Sequence, residues 1–247
     1  MLTVLVPALN EEGNLVATIE QVTQAATSTF DEYEVIIFND GSTDRTPEIA
    51  EKLAENDVHI NVVHHSTAMG IGCSYVEGLK LARGQYLLMV PGDNAFPADQ
   101  IRCVLQCAGQ ADIVIPFTAN SEVRKFGRQI LSNLFTTIIN RLFSLKVKYY
   151  NSIVLHQVDL LKSIPLGTGR FTYQAENLVK LLCRGCSYVH VATEIQEREH
   201  GGSGALSRTV IVDTFRSILR LFWDVRIKNR ATYTPSPAIG NLENAIR

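Results

Sequence analysis

Carboxylates and small polar residues gather at two points early in the chain, Pro7-Ala8-Leu9-Asn10-Glu11-Glu12 and Asn39-Asp40-Gly41-Ser42-Thr43-Asp44. A third group, Pro91-Gly92-Asp93-Asn94, follows later. Asn10, Glu11, Asp40 and Ser42 offer hydrogen-bond acceptors to the base and ribose of a nucleotide. Asp93 stands just past an almost wholly apolar run, where a charge has to be solvated or bound. A carboxylate there can hold a divalent cation, Mg²⁺ or Mn²⁺, that bridges phosphates. The plainer alternatives are turn and cap roles, and for Asp93 an N-cap or Asp-turn before Pro97.

These groups sit where strands end. Leu2–Val6 and Glu34–Phe38 are near-continuous apolar runs, and each leads into a polar group and then a helical pattern. The expected order is strand 2–6, helix 12–26, strand 34–38, helix 46–56, strand 60–64, a helix after Gly70-Ile71-Gly72 to Ala82, strand 86–90, helix 98–108 and strand 112–116. Pro47 suits a first helical turn. This alternation predicts an α/β domain with a parallel sheet and right-handed crossovers. In such a sheet ligands bind beyond the carboxyl ends of the strands, where all three polar groups fall.

The second half differs. Residues 122–143 read as a long, partly basic helix, with Ile130, Leu131, Leu134, Phe135, Ile138, Ile139, Leu142 and Phe143 at helical spacing. Arg124, Lys125, Arg128 and Arg141 flank its apolar face, and Lys146 and Lys148 follow. A short strand at 153–156, a helix at 174–183 and a strand at 187–195 come next. Residues 206–228 form a last amphipathic helix. Such helices lie in a membrane interface, pack on their own domain, or pair with a second copy of the chain. The expected organisation is a domain over 1–205, the amphipathic helix over 206–230 and an irregular tail over 231–247.

The chain has 247 residues, is 46% hydrophobic and has a formal net charge of -2. That is enough for one large domain with a substantial core and gives no signature of a nucleic-acid partner. No signal peptide is visible and no apolar run is long enough to span a bilayer, so the expected location is cytoplasmic, with peripheral membrane attachment left open. Five cysteines make an odd count that argues against a disulfide framework. Cys183-Arg184-Gly185-Cys186 has metal or redox spacing, but it also reads as a helix end capped by Gly185.

Pro7-Ala8-Leu9-Asn10-Glu11, Asn39-Asp40-Gly41-Ser42-Thr43-Asp44, Gly70-Ile71-Gly72 and Gly92-Asp93 occur in the order and at the spacing of family 2 glycosyltransferases. The chain resembles that family over roughly residues 1–205, and within it the polyprenyl- and dolichyl-phosphate sugar transferases. The resemblance implies a GT-A fold, a mostly parallel central sheet flanked by helices, and a nucleotide diphospho-sugar donor carrying UDP or GDP. Pro7, Leu9, Asn10 and Glu11 would line the base and ribose pocket with Gly41 and Ser42, and Asp40 would hydrogen-bond the nucleobase. Gly70 and Gly72 would let backbone approach the donor. Asp93 would be the second acid of the family's Asp-x-Asp metal motif and, with Arg128, would stabilise the leaving diphosphate. Glu176, and Arg198, His200 and Ser203 of a closing loop, would serve the acceptor side.

The chain also departs from the pattern. Pro91 replaces the first acid of the metal motif, Asn39 a frequent Asp, Thr118 an Arg found in some members, and Gly204 a common Lys. Asn177 stands where many inverting members carry the Asp that deprotonates a sugar hydroxyl. An acceptor phosphate is already anionic and needs no base, so Asn177 fits transfer to a lipid phosphate at a membrane surface. The expectation is therefore an inverting glycosyltransferase with a polyprenyl phosphate acceptor. The rivals are a soluble transferase acting on a glycan hydroxyl, a sugar nucleotidyltransferase, and a nucleotide-sugar-binding protein without turnover. The nucleotidyltransferase would normally carry a Gly-rich basic N-terminal loop, which Pro7–Glu12 is not.

Overall fold

The structure, a computed structural model, describes residues 1–120, 126–167, 172–196 and 208–233. The first half alternates as expected: β1 (Leu2–Ala8), α1 (Leu15–Thr27), β2 (Tyr33–Asp40), α2 (Thr46–Asn56), β3 (Ile60–His65), α3 (Ile71–Leu81), β4 (Tyr86–Met89), α4 (Ala98–Leu105) and β5 (Ile113–Thr118). Then come α5 (Phe126–Phe143), β6 (Leu155–Gln157), α6 (Val158–Lys162), α7 (Tyr173–Leu182), β7 (Tyr188–Thr193) and α8 (Arg208–Phe222), which runs into a π-helical turn over Trp223–Lys228. One seven-stranded sheet has the order β3-β2-β1-β4-β6-β5-β7.

Period-2 alternation splits the strands between two cores. Leu5, Phe38, Leu87 and Met89 face one layer with Tyr75 of α3, Leu178 of α7 and Phe143 of α5. Val4, Val6, Val35, Ile37 and Leu88 face the other with Leu15 and Ile19 of α1 and Ile101 of α4. Glu34 interrupts this apolar series and is buried in β2. The Thr3 hydroxyl donates to it at 2.7 Å, and Arg83 donates its backbone N–H at 2.8 Å and its guanidinium at 2.7 Å. A buried carboxylate with this many donors needs no ligand to explain it.

Three details differ from the sequence reading, and a fourth, the end of α7, agrees with it. β6 is antiparallel to both β4 and β5, because the chain leaving α5 re-enters the sheet from the end where β5 leaves it. α6 is too short, at five residues, to show a helical period. α1 begins at Leu15 and not at residue 12, because Glu11 and Glu12 are held in a turn by the loop after β2. The end of α7 is a Gly-capped turn: Gly185 has φ +88° and the Cys186 N–H donates to the Leu181 carbonyl, with all five cysteines free.

α8 is half in the core. Ile218, Leu221 and Val225 join the layer that holds Phe143 and Leu178. Val212, Phe215, Leu219, Trp223 and Ile227 point outward, as do Ile130, Leu134 and Ile138 of α5. No helix among the described residues is long and apolar enough to cross a membrane.

Candidate active site

The loops after β1 and β2 are cross-tied into one unit. The Asn10 N–H donates to Ser42 Oγ at 3.0 Å, and the Thr43 N–H donates back to Asn10 Oδ1 at 2.8 Å. The Glu11 N–H donates to Thr46 Oγ1 at 2.8 Å and the Glu12 N–H to Asp44 Oδ2 at 3.1 Å. Ser42, Asp44 and Thr46 thus satisfy amides of the first loop, and Asn10 and Glu12 satisfy amides of the second, which accounts for much of the polar spacing of both motifs. Asn10 takes a positive φ of 56°, which Asn tolerates better than most residues. Leu9 is left exposed, Glu11 binds the Asn14 amide, and the Pro7 carbonyl accepts the Gly92 N–H at 3.0 Å. That last bond joins the unit to the loop carrying Asp93.

Asp40 is buried at the end of β2. Its Oδ1 accepts the Met69 N–H at 2.8 Å and its Oδ2 accepts the Gly70 N–H at 2.8 Å. His65, the residue opposite it in the β2–β3 register, lies 2.7 Å from Oδ1 through Nδ1 and 3.1 Å from Glu77 through Nε2. Burial lowers the His65 pKa, but the hydrogen bonds and charges of Asp40 and Glu77 outweigh it, and the net shift is upward. Asp40 thus holds the turn before α3. Gly70 has φ 92° there, a conformation that suits glycine, and Gly72 is buried in the first turn of α3. Gly41 has φ +75°, and a Cβ on it would stand 2.7 Å from the Ala68 nitrogen and 2.7 Å from the Thr67 carbonyl carbon. Asn39 pairs with His64 at 3.0 Å and accepts the Ser42 N–H, so the Asn holds the motif's own turn.

Asp93 is only 5% exposed, and its Oδ1 accepts the Ala95 N–H at 3.3 Å, the Asp-turn foreseen as the plainer reading. The two readings are compatible, since a carboxylate has about four lone-pair sites. No cluster of three potential metal ligands occurs among the described residues. With Pro91 at the first acid position, Asp93 is the one motif carboxylate, which fits an ion held mainly by substrate phosphates and water.

Of the other expected site residues, Arg128 lies in the first turns of α5, with its side chain outside the described part. Arg198, His200 and Ser203 also lie outside the described residues. Asn177 is 2% exposed and turns toward the Tyr75 hydroxyl. Glu176 instead lines an open cleft of about 220 Å³ between α7 and α8, together with Thr172, Tyr173, Ser217, Arg220 and Asp224. Lys180, its side chain 4% exposed, sits beneath and binds Glu176 at 2.6 Å, the Pro165 carbonyl at 2.7 Å and Asp224 at 3.4 Å. Arg220 makes no ion pair among the described residues. The cleft adjoins the carboxyl end of β4 through Tyr173, whose hydroxyl lies 3.1 Å from Met89 Sδ.

His65, Glu77 and Lys180 are not among the residues singled out by the sequence, and Arg220 reads there only as part of the polar side of the last helix, with Asp213, Arg216 and Asp224. His65 was open to detection: a histidine ending a strand parallel to the one that ends in Asp40 falls beside it. Nothing local marks Lys180, whose partners come from α7, the loop before it and the π-helical turn.

The sequence pattern of Glycosyl transferase family 2 matches residues 3–159. The hexosyltransferase Agl6 of low-salt glycan biosynthesis in Haloferax volcanii is 33% identical over 124 residues, which are 49% of this chain and 28% of that protein. The glycosyltransferase GlyG of Streptococcus pneumoniae is 28% identical over 117 residues, 47% of this chain and 38% of its own. The chain thus spans less than half the length of these curated relatives. Mannosyl-3-phosphoglycerate synthase from Rubrobacter xylanophilus superposes with a TM-score of 0.70 at 17% identity, over 97% of this chain and 78% of that one. Glucosyl-3-phosphoglycerate synthase from Mycobacterium tuberculosis, bound to Mn²⁺, UDP-glucose and phosphoglyceric acid, gives 0.61 at 17% identity over 97% and 82%. These likenesses establish the GT-A fold expected from the motifs. With the family match over more than half its length, the chain belongs to glycosyl transferase family 2.

Proposed function

We propose that this transferase moves a hexosyl group from a UDP-sugar to the phosphate of a polyprenyl-type lipid by a single inverting displacement. An acceptor phosphate oxygen attacks the anomeric carbon from the face opposite UDP, the bond from that carbon to the diphosphate oxygen breaks, and UDP leaves with the electron pair. The observation that carries this reading is Asn177. It occupies the position of the family's base, has an amide in place of an acid, and is buried against Tyr75. A phosphate acceptor has no proton to remove.

The choice of UDP over GDP rests on Asp40. Its Oδ1 already accepts two donors and its Oδ2 one, so one acceptor site remains. That suits the single imide N–H of uracil and leaves guanine's paired N–H donors half served. Pro7, Leu9, Asn10, Glu11, Gly41 and Ser42 would frame base and ribose. Asp93 would hold a Mg²⁺ or Mn²⁺ ion arriving with the donor, and such an ion would neutralise charge on the diphosphate. Arg128 would face the same charge. Glu176 and the loop of Arg198, His200 and Ser203 would close the acceptor side.

Surface chemistry supports a lipid acceptor. Residues 126–150 hold four Lys/Arg and no Asp/Glu, and residues 208–233 hold six against two, in a chain of net charge -2. These segments carry the outward stripes of α5 and α8, with Phe215 62% and Trp223 59% exposed. An apolar stripe with cationic flanks suits an anionic bilayer surface, and Arg220 in the adjoining cleft suits a phosphate. A second reading has its own observation: Glu176 lines the cleft and could act as base toward a hydroxyl of a soluble acceptor. The experiment is transfer from UDP-[14C]glucose with polyprenyl phosphate vesicles or free glycans. Label extracted into organic solvent supports the lipid reading. Label found only on water-soluble product contradicts it and favours the second.

A further inference from the structure

We propose that His65 is a positioning residue for donor binding, holding Asp40 and through it the Met69–Gly70 turn, with a proton on its ring as part of the binding-competent form. The inference rests on the reading of Asp40 as part of the nucleotide pocket. Its geometry does not. His65 and Asp40 are register partners at the ends of β3 and β2, and both side chains are nearly fully buried. The ring lies between two carboxylates, Asp40 at 2.7 Å and Glu77 at 3.1 Å. A neutral imidazole has one N–H and one lone pair, so it can donate to only one of them. The other carboxylate would then face a lone pair. Both contacts are favourable together only in the imidazolium.

The remaining surroundings do not compete. Asp40 and Glu77 are the charged groups that act on the ring, and the Phe38 ring lies beside it, with centroids 5.9 Å apart. His64 takes separate partners in Asn39 and Glu51. Glu77 is half exposed and free to turn to water, whereas Asp40 is not, so the deprotonated ring keeps its one N–H on Asp40 and loses Glu77. Asp40 then loses its cationic partner, and its hold on the Met69 and Gly70 amides changes. The upward shift of the His65 pKa places this event above the ordinary histidine range.

The test is calorimetric titration of UDP across pH 6 to 9 with the wild type, His65→Gln and Glu77→Gln. NMR of the His65 ring and the Gly70 amide is followed in the nucleotide-free protein. UDP affinity of the wild type is expected to fall about fivefold as His65 deprotonates. In Glu77→Gln the midpoint moves to lower pH. His65→Gln binds weakly throughout and shows only the nucleotide's own titration. The Gly70 amide should shift with the His65 midpoint. A wild-type UDP profile parallel to that of His65→Gln, or a Gly70 amide indifferent to the ring, overturns the proposal. Absence of UDP binding at every pH with the Gly70 response intact supports the coupling and overturns the nucleotide reading instead.

Discussion

Replacing Asp40 by Asn removes one of two carboxylate oxygens, both of which accept hydrogen bonds. The carboxylate serves His65 and Met69 on Oδ1 and Gly70 on Oδ2, all at 2.7–2.8 Å. Asn has one oxygen, so its NH₂ must replace one of the two. The less costly arrangement puts NH₂ at the Oδ2 position, where it faces one N–H and not two. Losing one hydrogen bond to a charged group costs roughly 1.5–3 kcal/mol, and the other two lose their charge assistance. A total near 3 kcal/mol is expected at pH 6. With a urea slope of about 3 kcal/mol per M for a chain of this size, the unfolding midpoint falls by about 1 M. The pH dependence has a definite sign. The folded-state pKa of His65 lies above its unfolded value, so its contribution is complete below about pH 6.5 and is lost as pH rises through the folded pKa. The gap between wild type and variant should therefore narrow toward alkaline pH. Paired urea titrations at pH 6 and pH 9 measure it. A midpoint shift under about 0.2 M at pH 6, or a gap that widens with pH, would refute the reasoning.

Gly41→Ala should cost about 3 kcal/mol and abolish UDP binding, since it combines a left-handed φ with backbone contacts at 2.7 Å; thermal unfolding and calorimetry check both. Asp93→Ala should lower transfer roughly 100-fold while the circular dichroism spectrum is retained, and an unchanged rate removes Asp93 from the reaction. Burial holds His156 neutral, with its pKa lowered to about 3, while the unfolded ring protonates near 6.5. Stability should therefore fall by about 1.4 kcal/mol per pH unit below 6.5, and His156→Leu should flatten that acid limb in urea titrations. Phe215→Ser with Trp223→Ser should release the protein from anionic vesicles in co-sedimentation; retention in full would show that the outward stripe of α8 is not what binds.

The strand-end motifs were legible because they answer to rules local in sequence. An apolar run, a polar turn and a helical pattern placed β1, β2 and β4 and brought Asn10, Asp40 and Asp93 to one end of the sheet. What those residues hold was not legible, because their partners come from elsewhere. Asp40 reads as a ligand-binding acid from its motif, yet its bonds go to Met69, Gly70 and His65, a strand and a turn away. Glu34 reads as the polar start of an apolar strand, and only the fold brings Thr3 and Arg83 to it. The apolar pattern of α8 shows a helix, but its period alone does not say that Ile218 and Leu221 meet the core while Phe215 and Trp223 stay outside. Asn177 carries an amide, which cannot act as a base, and its burial against Tyr75 follows from the packing of α7 on α3.

The most direct measurement is calorimetric titration of the protein with UDP and with GDP at pH 6.5, each with and without Mn²⁺. The expected result is UDP binding strengthened by Mn²⁺, with GDP at least about tenfold weaker because Asp40 has one acceptor site left for the base. GDP binding as tightly as UDP would contradict that role of Asp40, and failure of both to bind would contradict the donor site itself.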